Sequence, residues 1–326
     1  MAYSTEVIRL AREELAQKKA DQESLHNQKL VEAYAKVPRL RQIDAKLRQT
    51  MTVAAQAVFL KGADGVAAME EVKKANLSLQ AERKELVEAN FPAGYLEDDT
   101  ICPHCGGSGY VGSTMCSCLK ALCRKYQKKQ LSMLTSGEER FENFRLDYYS
   151  EKTDPNYGFS PRALMEKTFQ VCKKYALEFD GTKNLLFVGG TGLGKTFLSA
   201  CIANAVADRG FSVAYESAPM LFEKLNRNYF HGDEESRQAA DSFVGADLLI
   251  VDDLGTELTN NFTVAALYSL LNDRLLAGKS MIISTNLNVE EIAKRYSPQI
   301  ASRLQGCFKY LTFLGQDIRV LKSRGM

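Results

Sequence analysis

The most constraining feature of the sequence is the segment at residues 189–196, Gly-Gly-Thr-Gly-Leu-Gly-Lys-Thr. It fits the pattern G-x-x-x-x-G-K-[ST], in which glycines let successive backbone N–H groups turn inward around an anion. The apolar run at 184–188 is typical of a buried strand, and the stretch at 197–207 is typical of a helix. Strand, glycine loop and helix in this order predict a phosphate-binding loop at a helix N-terminus.

This loop predicts ATP and Mg²⁺ as cofactors. The Lys195 ammonium group can reach the β- and γ-phosphates, and the Thr196 hydroxyl is a ligand for Mg²⁺. The residues predicted to bind the nucleotide are Gly189, Gly190, Thr191, Gly192, Leu193, Gly194, Lys195, Thr196 and Phe197.

A second apolar strand, predicted at 248–252, ends in the paired acids Asp252 and Asp253. This is the usual form of a Walker B segment. The first acid then holds Mg²⁺, here through water, and the second orients the attacking water. Glu257 is an alternative for the second role. Paired acids also occur in turns and helix caps, so the assignment depends on the phosphate loop in the same chain.

Two polar residues further along the chain complete a predicted hydrolytic set. Asn286 follows the strand predicted at 281–285, where it would hydrogen-bond the γ-phosphate or the water, although asparagine is also common in turns. Arg303 follows a predicted helix and is either a surface arginine or an arginine finger for a neighbouring subunit. The catalytic candidates are Lys195, Asp252, Asp253, Asn286 and Arg303.

Helices and strands alternate after residue 160, which predicts an α/β fold with a parallel sheet and helices on both faces. The predicted strands are 184–188, 211–216, 248–252, 281–285 and 308–313. The predicted helices lie near 161–179, 197–207, 218–229, 234–244 and 261–277, with another capped by Asn288.

The region before residue 95 is predicted to be helical, because apolar residues recur at helical spacing and glycine is rare. We expect helices at about 4–34, 38–61 and 64–90. The first break falls before Pro38, which disfavours helical geometry in the preceding residue, and the second at 62–65. The region is either a helical bundle that packs only on itself or a partner-docking module.

Four closely spaced cysteines indicate a structural zinc site on a glycine-rich hairpin, with free thiols as the alternative. These four ligands are Cys102, Cys105, Cys116 and Cys118. His104 and Cys123 are possible substitutes. The other cysteines are interpreted as buried small hydrophobic residues: Cys172, Cys201 and Cys307.

The segment between the cysteines and the α/β region has two notable parts. A short basic helix is read as a solvated face with nucleic-acid contact as the alternative: Lys120, Arg124, Lys125, Lys128 and Lys129. The aromatic residues at 141–149 either line an adenine pocket or belong to the core.

Overall charge favours no particular partner, since 42 Lys and Arg stand against 40 Asp and Glu, a net charge of +2. Any nucleic-acid surface must therefore be local. No run of about 18 apolar residues predicts a membrane span, and the first residues have no apolar signal core. A cytoplasmic location is expected, where the cysteines are thiols or metal ligands.

Several of these segments together resemble the AAA+ ATPases, and within them the bacterial replicative-helicase loaders of the DnaC/DnaI type. The residues that carry the resemblance lie at 141–144, 189–196, 252–257, 284–286, 302–304 and 315–319. The cysteine hairpin is similar to the zinc-binding N-terminal region of DnaI-type loaders.

The resemblance implies roles for single residues. Asn286 would be sensor 1, Arg303 the arginine finger and Arg319 a nucleotide-binding, sensor-2-like arginine. Many AAA+ proteins carry glutamate where this chain has Asp253, which implies slow or partner-stimulated hydrolysis. The chain ends soon after Arg319, so we expect no helical lid domain, and a neighbouring subunit or partner would close the site.

The resemblance also implies a function: ATP-dependent placement of the hexameric replicative helicase on single-stranded DNA, with homo-oligomers forming in the ATP-bound state. The candidate DNA contacts are Lys224, Arg227 and Arg237. Alternatives are an IstB-type transposition helper ATPase and a nucleotide-switched scaffold. The predicted organisation is a docking region at 1–95, a zinc knuckle and basic helix at 96–130, a linker at 131–160 and an AAA+ domain at 161–326.

Overall fold

The structure is a computed structural model that describes residues 3–57, 63–97, 100–134, 139–155, 157–230, 232 and 234–324. The chain divides into two compact units. One comprises residues 14–112, and the other comprises residues 1–13 together with residues 113–326.

Helices build the unit at 14–112. They are α2 (Pro38–Ala57), α3 (Ala63–Asn90) and most of α1 (Thr5–Lys36), whose first residues belong to the other unit. The predicted break before Pro38 is confirmed. The third predicted helix is confirmed, since α3 begins at Ala63, close to the expected start at about 64. Residues 58–62, which include the predicted end of the second helix and the start of the second break, lie outside the described residues. Gly65 lies inside the first turn of α3, where a glycine interrupts no established run of helical hydrogen bonds.

A short hairpin and one helix precede the α/β region. The hairpin consists of β1 (Tyr110–Val111) and β2 (Thr114–Met115), and it is followed by α4 (Ser117–Leu134). In the segment at 139–155, two 3₁₀ turns, Phe141–Asn143 and Leu146–Tyr148, bring the chain toward the α/β core.

The larger unit contains a five-stranded parallel sheet in the order β4-β5-β6-β3-β7. Its strands are β3 (Leu185–Val188), β4 (Val213–Ser217), β5 (Leu248–Leu254), β6 (Ser280–Thr285) and β7 (Lys309–Thr312). In the β3–β6 register Val188 lies opposite Thr285, and in the β5–β6 register Leu254 also lies opposite Thr285. The carboxyl ends of β3, β5 and β6 therefore meet at one edge of the sheet.

Helices cover both faces of this sheet, as the sequence predicted. They are α5 (Pro161–Leu177), α6 (Lys195–Asp208), α7 (Ala218–Phe230), α8 (Glu234–Gly245), α9 (Asn261–Leu276), α10 (Val289–Arg295), α11 (Pro298–Cys307) and α12 (Ile318–Ser323). Alternate residues along β3 belong to two different core clusters: Leu185 and Phe187 to one, and Leu186 to the other. This alternation gives the sheet two apolar faces, each needing a helical layer.

Arg303 follows the helix capped by Asn288, which is α10, as predicted, and it lies inside a further helix, α11. A serine cap and a proline at 297–298 begin this additional helix directly after α10. One expectation needs correction: Cys307 is exposed and not buried, and it is the last residue of α11.

A side chain of α4 covers backbone groups at the free edge of the sheet, at the start of strand β4. The Gln127 amide donates to the Phe211 carbonyl oxygen at 3.0 Å and accepts from the Val213 N–H at 3.0 Å. The amide group thus occupies the position that the backbone of a further strand would take at this end of the sheet.

Arg274 of α9 joins the end of α8 to the start of β6 and is fully buried. One guanidinium nitrogen donates to the carbonyl oxygens of Phe243, Val244 and Ala246, at 2.6, 3.0 and 3.0 Å, and the other donates to that of Ser280 at 2.5 Å. A cation that serves several buried acceptors is costly to remove, since each carbonyl loses its partner in a dry environment.

We expect Arg274→Met to lower the free energy of unfolding by about 3 kcal/mol or more, because methionine fills space but donates no hydrogen bond. Urea unfolding followed by circular dichroism measures the change. Arg237→Met is the control, since Arg237 pairs with Glu234 on an exposed helix surface, and its expected change is within about 0.5 kcal/mol. Equal unfolding midpoints for the two variants would contradict this account of Arg274.

Candidate functional site

A cavity of 590 Å³ lies at the edge of the sheet where β3, β5 and β6 end. Four segments of the larger unit line it: residues from 139–149, the loop at 191–197, Asp253, and residues 318–322 on α12. The predicted phosphate loop is therefore one wall of a cavity whose other walls come from distant parts of the sequence.

Close neighbours explain two of the loop glycines. Gly192 has a φ of 70°, and a Cβ atom there would lie 2.0 Å from the Asp317 Oδ1. Gly194 has a φ of 89°, and a Cβ atom there would lie 2.9 Å from the Tyr149 hydroxyl oxygen. Both positions need glycine for their left-handed backbone and for the side chain that packs against them.

Tyr149 supports the loop from the core side. Its side chain is buried, and its hydroxyl donates to the Leu193 carbonyl oxygen at 2.9 Å; burial raises the pKa of this phenol. Phe144 and Tyr148 line the cavity. Tyr149 lines the cavity as well and belongs to the core cluster, and contact of these rings with adenine stays a prediction.

Lys195 is almost fully buried at the start of α6. Its ammonium group donates to the carbonyl oxygens of Gly189 at 2.8 Å and Gly190 at 2.7 Å. Burial lowers the pKa of Lys195, while the charges of Asp253 and Asp252 oppose this shift. The Lys195 ammonium group is thus bound to carbonyl groups of its own loop. To bind phosphate oxygens, it must give up these hydrogen bonds and form new ones to the phosphate.

The two acids at the end of β5 occupy different environments. Asp253 is exposed on the cavity wall, with a φ of 55°, a left-handed backbone unusual for a residue other than glycine. The cavity wall removes part of the water around the Asp253 carboxylate, and this partial desolvation and the neighbouring Asp252 charge raise the pKa of Asp253. Asp252 is buried behind it and accepts hydrogen bonds from the hydroxyls of Tyr215, at 3.0 Å, and Ser284.

Oxygen ligands for Mg²⁺ are present at this end of the cavity. The Thr196 hydroxyl and the Asp253 carboxylate lie on its wall, and hard oxygen donors of this kind suit Mg²⁺. Each Asp252 oxygen accepts one hydroxyl, which leaves a lone pair for a metal-bound water. This arrangement fits the predicted role of Asp252 as a ligand through water.

Glu257 does not line the cavity and has a different contact set. Its carboxylate accepts from the Gly255 N–H at 2.9 Å and from the Tyr296 hydroxyl. These bonds close the turn after β5. The structure thus brings Asp253, and not the alternative Glu257, to the candidate site.

The remaining predicted residues lie at different distances from the cavity. Asn286 is exposed at the end of β6. Arg319 lines the cavity from α12, whose Ile318 N–H donates to the Gly192 carbonyl oxygen at 2.9 Å. The short helix α12 thus packs directly on the loop, and closure of the site by a neighbouring subunit or partner stays a prediction.

Arg303 does not line the cavity of its own chain. Its guanidinium lies 4.3 Å from the ring centroid of Tyr268 and donates to the Tyr268 hydroxyl at 2.8 Å and the Asn272 side chain at 3.3 Å. Any contact between Arg303 and a nucleotide in this geometry would be with the nucleotide of another subunit.

The four predicted cysteine ligands lie together. The sulfur atoms of Cys102, Cys105, Cys116 and Cys118 are all within 4.8 Å of one another, close to the roughly 3.8 Å that tetrahedral thiolates about 2.3 Å from zinc would require. The Gly109 N–H donates to the Cys105 sulfur at 3.3 Å. The substitutes are not in this group: His104 is exposed, and Cys123 is buried, which raises its pKa to about 11.

A surface feature of the larger unit was missed by the sequence reasoning. Tyr229 and Phe230 end α7 with 74% and 63% of their surfaces exposed, and Phe262 lies beside them. The three ring centroids are 5.0, 5.8 and 6.0 Å apart. We call these residues the aromatic cluster. The adjacent aromatics at the end of a predicted helix were the available signal.

The three basic residues suggested as DNA contacts each pair with a glutamate. Lys224 pairs with Glu216, Arg227 with Glu223 at 2.5 Å, and Arg237 with Glu234. The Arg227 and Arg237 pairs are largely exposed, so they contribute little stability and can exchange for other anions.

Comparison with known proteins gives matches over the α/β region. Residues 149–302 match the profile of the IstB-like ATP binding protein family. The replicative helicase loader DnaC of Escherichia coli K12 is 24% identical over 134 residues, covering 41% of this chain and 55% of the relative. A putative ATP-binding protein of insertion sequence IS1162 from Pseudomonas fluorescens is 30% identical over 104 residues, covering 32% and 44%.

Among solved structures, that of the DnaC helicase loader is similar with a TM-score of 0.45 and 20% identity, covering 53% of this chain and 98% of that one. The chain spans about half the length of the curated relatives described above. Of the helices within the described residues, none has the length and hydropathy to cross a membrane.

The strand order, the phosphate loop and the paired acids occur within or beside the matched residues. The sheet is parallel and five-stranded, and the cavity lies at its carboxyl edge. The α/β region of this chain therefore has the fold of an AAA+ P-loop domain, and over residues 149–302 it is similar to the IstB-like ATP binding proteins and to the DnaC relative.

Proposed function

We propose that this protein is an ATP-dependent loader that binds the hexameric replicative helicase and places it on single-stranded DNA. The observation that carries the proposal is the exposed aromatic cluster on the same unit as the nucleotide cavity. A loader must couple nucleotide binding to DNA binding, and this unit offers surfaces for both. The name of the Escherichia coli relative, a replicative helicase loader, supports the same function.

The aromatic cluster has the chemistry of a single-strand binding surface. Bases stack on exposed aromatic rings with little sequence preference, each stack contributing about 1–3 kcal/mol. Arg227 lies two residues before Tyr229, and its exposed pair with Glu223 can exchange for a phosphate. Stacking supplies most of the affinity here, since the nearby basic residues are balanced by glutamates.

ATP acts in this proposal mainly as a switch for assembly. Lys195 and Thr196 hold the phosphates and Mg²⁺, Asp252 holds the metal through water, and Asp253 orients the attacking water. Aspartate is one methylene shorter than the usual glutamate, which favours slow or partner-stimulated hydrolysis. Asn286 and Arg319 contact the phosphates, and Arg303 reaches the nucleotide of a neighbouring subunit in an ATP-bound homo-oligomer.

The region before the AAA+ domain distinguishes the loader from the IstB-type transposition helper. In this proposal the helices at 1–95 dock on the helicase. The cysteine hairpin holds zinc through its four thiolates. Four thiolates leave zinc no open position, so its role is structural. The proposal places the protein in the cytoplasm, where its helicase and DNA are found.

We expect the double variant Tyr229→Ala, Phe230→Ala to bind single-stranded DNA at least tenfold more weakly, because it removes two stacking faces. Fluorescence anisotropy with a labelled oligo-dT in the presence of ATP and Mg²⁺ measures the affinity. The control is Tyr157→Ala, Phe159→Ala, a second exposed ring pair with centroids 6.0 Å apart. Equal affinities for the two double variants would exclude the aromatic cluster as the DNA surface.

The loader function predicts that the full-length protein captures the cognate replicative helicase in a pull-down. Lys195→Ala removes the phosphate-binding cation. It should retain capture through the helical region but fail to deliver helicase to DNA, measured as loss of strand unwinding. No capture by the wild-type chain would reject the loader in favour of the transposition helper. Phosphate release unchanged by Lys195→Ala would favour the scaffold without turnover.

Zinc binding predicts about one zinc ion per chain in protein purified under reducing conditions. Cys102→Ser should lower the zinc content and the melting temperature together, because thiolate binding contributes to folding. Cys307→Ser is the control, since Cys307 is exposed and outside the group. Substoichiometric zinc in the wild type, with no loss in Cys102→Ser, would reject the site.

A further inference from the structure

Two hydroxyl groups from the flanking strands hold the buried acid of the nucleotide site. Asp252 lies on β5, between β4 and β6. The Tyr215 hydroxyl of β4 donates to its Oδ2 at 3.0 Å, and the Ser284 hydroxyl of β6 donates to its Oδ1. Tyr215 is 8% exposed, and Ser284 is fully buried. Both oxygens of the carboxylate are therefore fixed from opposite sides.

Ser284 also determines the backbone at the second acid. Its hydroxyl oxygen accepts from the Asp253 N–H at 2.8 Å. The β5–β6 register shifts between Val251 and Leu254, and Asp253 takes its left-handed φ of 55° at this irregularity. A bulge of this kind changes the direction of the side chain at a strand end. Here it brings the Asp253 carboxylate onto the cavity wall.

We propose that Tyr215 and Ser284 are positioning residues for Mg²⁺ and nucleotide, Tyr215 through Asp252 alone and Ser284 through both acids. The proposal rests on the nucleotide-binding part of the proposed function and does not depend on helicase or DNA. Neither residue lines the cavity, so each acts only through the acid that it contacts.

The chemistry of the donors favours this role over simple neutralisation of a buried charge. A lysine or arginine beside Asp252 would cancel the negative charge that attracts a metal-bound water. Hydroxyls instead satisfy one lone pair on each oxygen and bring no positive charge to the carboxylate. If the Asp252 carboxylate rotated about its Cβ–Cγ bond or moved toward the cavity, it would break one of these hydrogen bonds. A hydrogen bond to a charged group is stronger than one between neutral groups.

Tyr215→Phe tests the first half of the proposal, because it removes one oxygen atom and keeps the ring. The matched control is Tyr175→Phe: Tyr175 is also 8% exposed and belongs to the same core cluster, but its hydroxyl donates to the Lys183 carbonyl oxygen. The readout is binding of a fluorescent ATP analogue while Mg²⁺ is titrated. We expect the half-maximal Mg²⁺ concentration to rise about tenfold in Tyr215→Phe, equivalent to about 1.4 kcal/mol, and to remain unchanged in the control.

Ser284→Ala tests the second half. It removes the donor to Asp252 and the acceptor for the Asp253 N–H. We expect the same kind of shift in the Mg²⁺ midpoint and, in addition, a fall of at least tenfold in kcat for phosphate release at saturating Mg²⁺. Tyr215→Phe should recover most of its kcat at saturating Mg²⁺, because Asp253 keeps its position. This difference separates positioning of the metal from positioning of the water.

Melting temperatures without nucleotide complete the experiment. An unchanged Mg²⁺ midpoint in folded Tyr215→Phe and Ser284→Ala would overturn the proposal. So would a loss of folding in Tyr215→Phe that Tyr175→Phe does not share, because the hydroxyl would then serve the fold. Wild-type protein that binds Mg²⁺ and nucleotide but fails to capture helicase would reject the loader function and leave this inference standing.

Discussion

The phosphate loop is held from two sides by hydrogen bonds to its own carbonyl groups. Tyr149 bonds the Leu193 carbonyl from the segment before the sheet, and the Ile318 N–H bonds the Gly192 carbonyl from the segment after it. These bonds are possible because β3 lies beside β7, so the chain leaves the sheet next to the loop. The cavity walls, the position of Arg319 and the need for Gly192 all depend on this arrangement.

Local patterns predicted the parts of the site that are contiguous in the chain. The loop, the strand before it and the acids at the end of β5 follow from spacing within a few residues. The sheet with helices on both faces follows from the alternation of helices and strands along the chain. The cysteine group was also predicted, since its four residues lie close together in sequence. In these cases the physical cause of the structure is contained in the segment itself.

Contacts between residues that are distant in sequence could not be predicted from local patterns. Nothing in the spacing of Tyr215 and Ser284 shows that their hydroxyls meet at Asp252, because strand order and register decide it. Glu257 is an acid at a plausible distance in sequence, yet a turn directs it to Tyr296. The aromatic cluster likewise joins the end of α7 to the start of α9. Such pairings depend on tertiary geometry that a single sequence does not display.

The side-chain amide of Gln127 has a consequence for self-association. An uncovered edge strand invites another chain to continue the sheet. Because Gln127 occupies backbone groups at both Phe211 and Val213, a second copy could extend the sheet there only by displacing it. Sheet extension at this end of β4 is therefore disfavoured, because a second copy would first have to break both Gln127 hydrogen bonds.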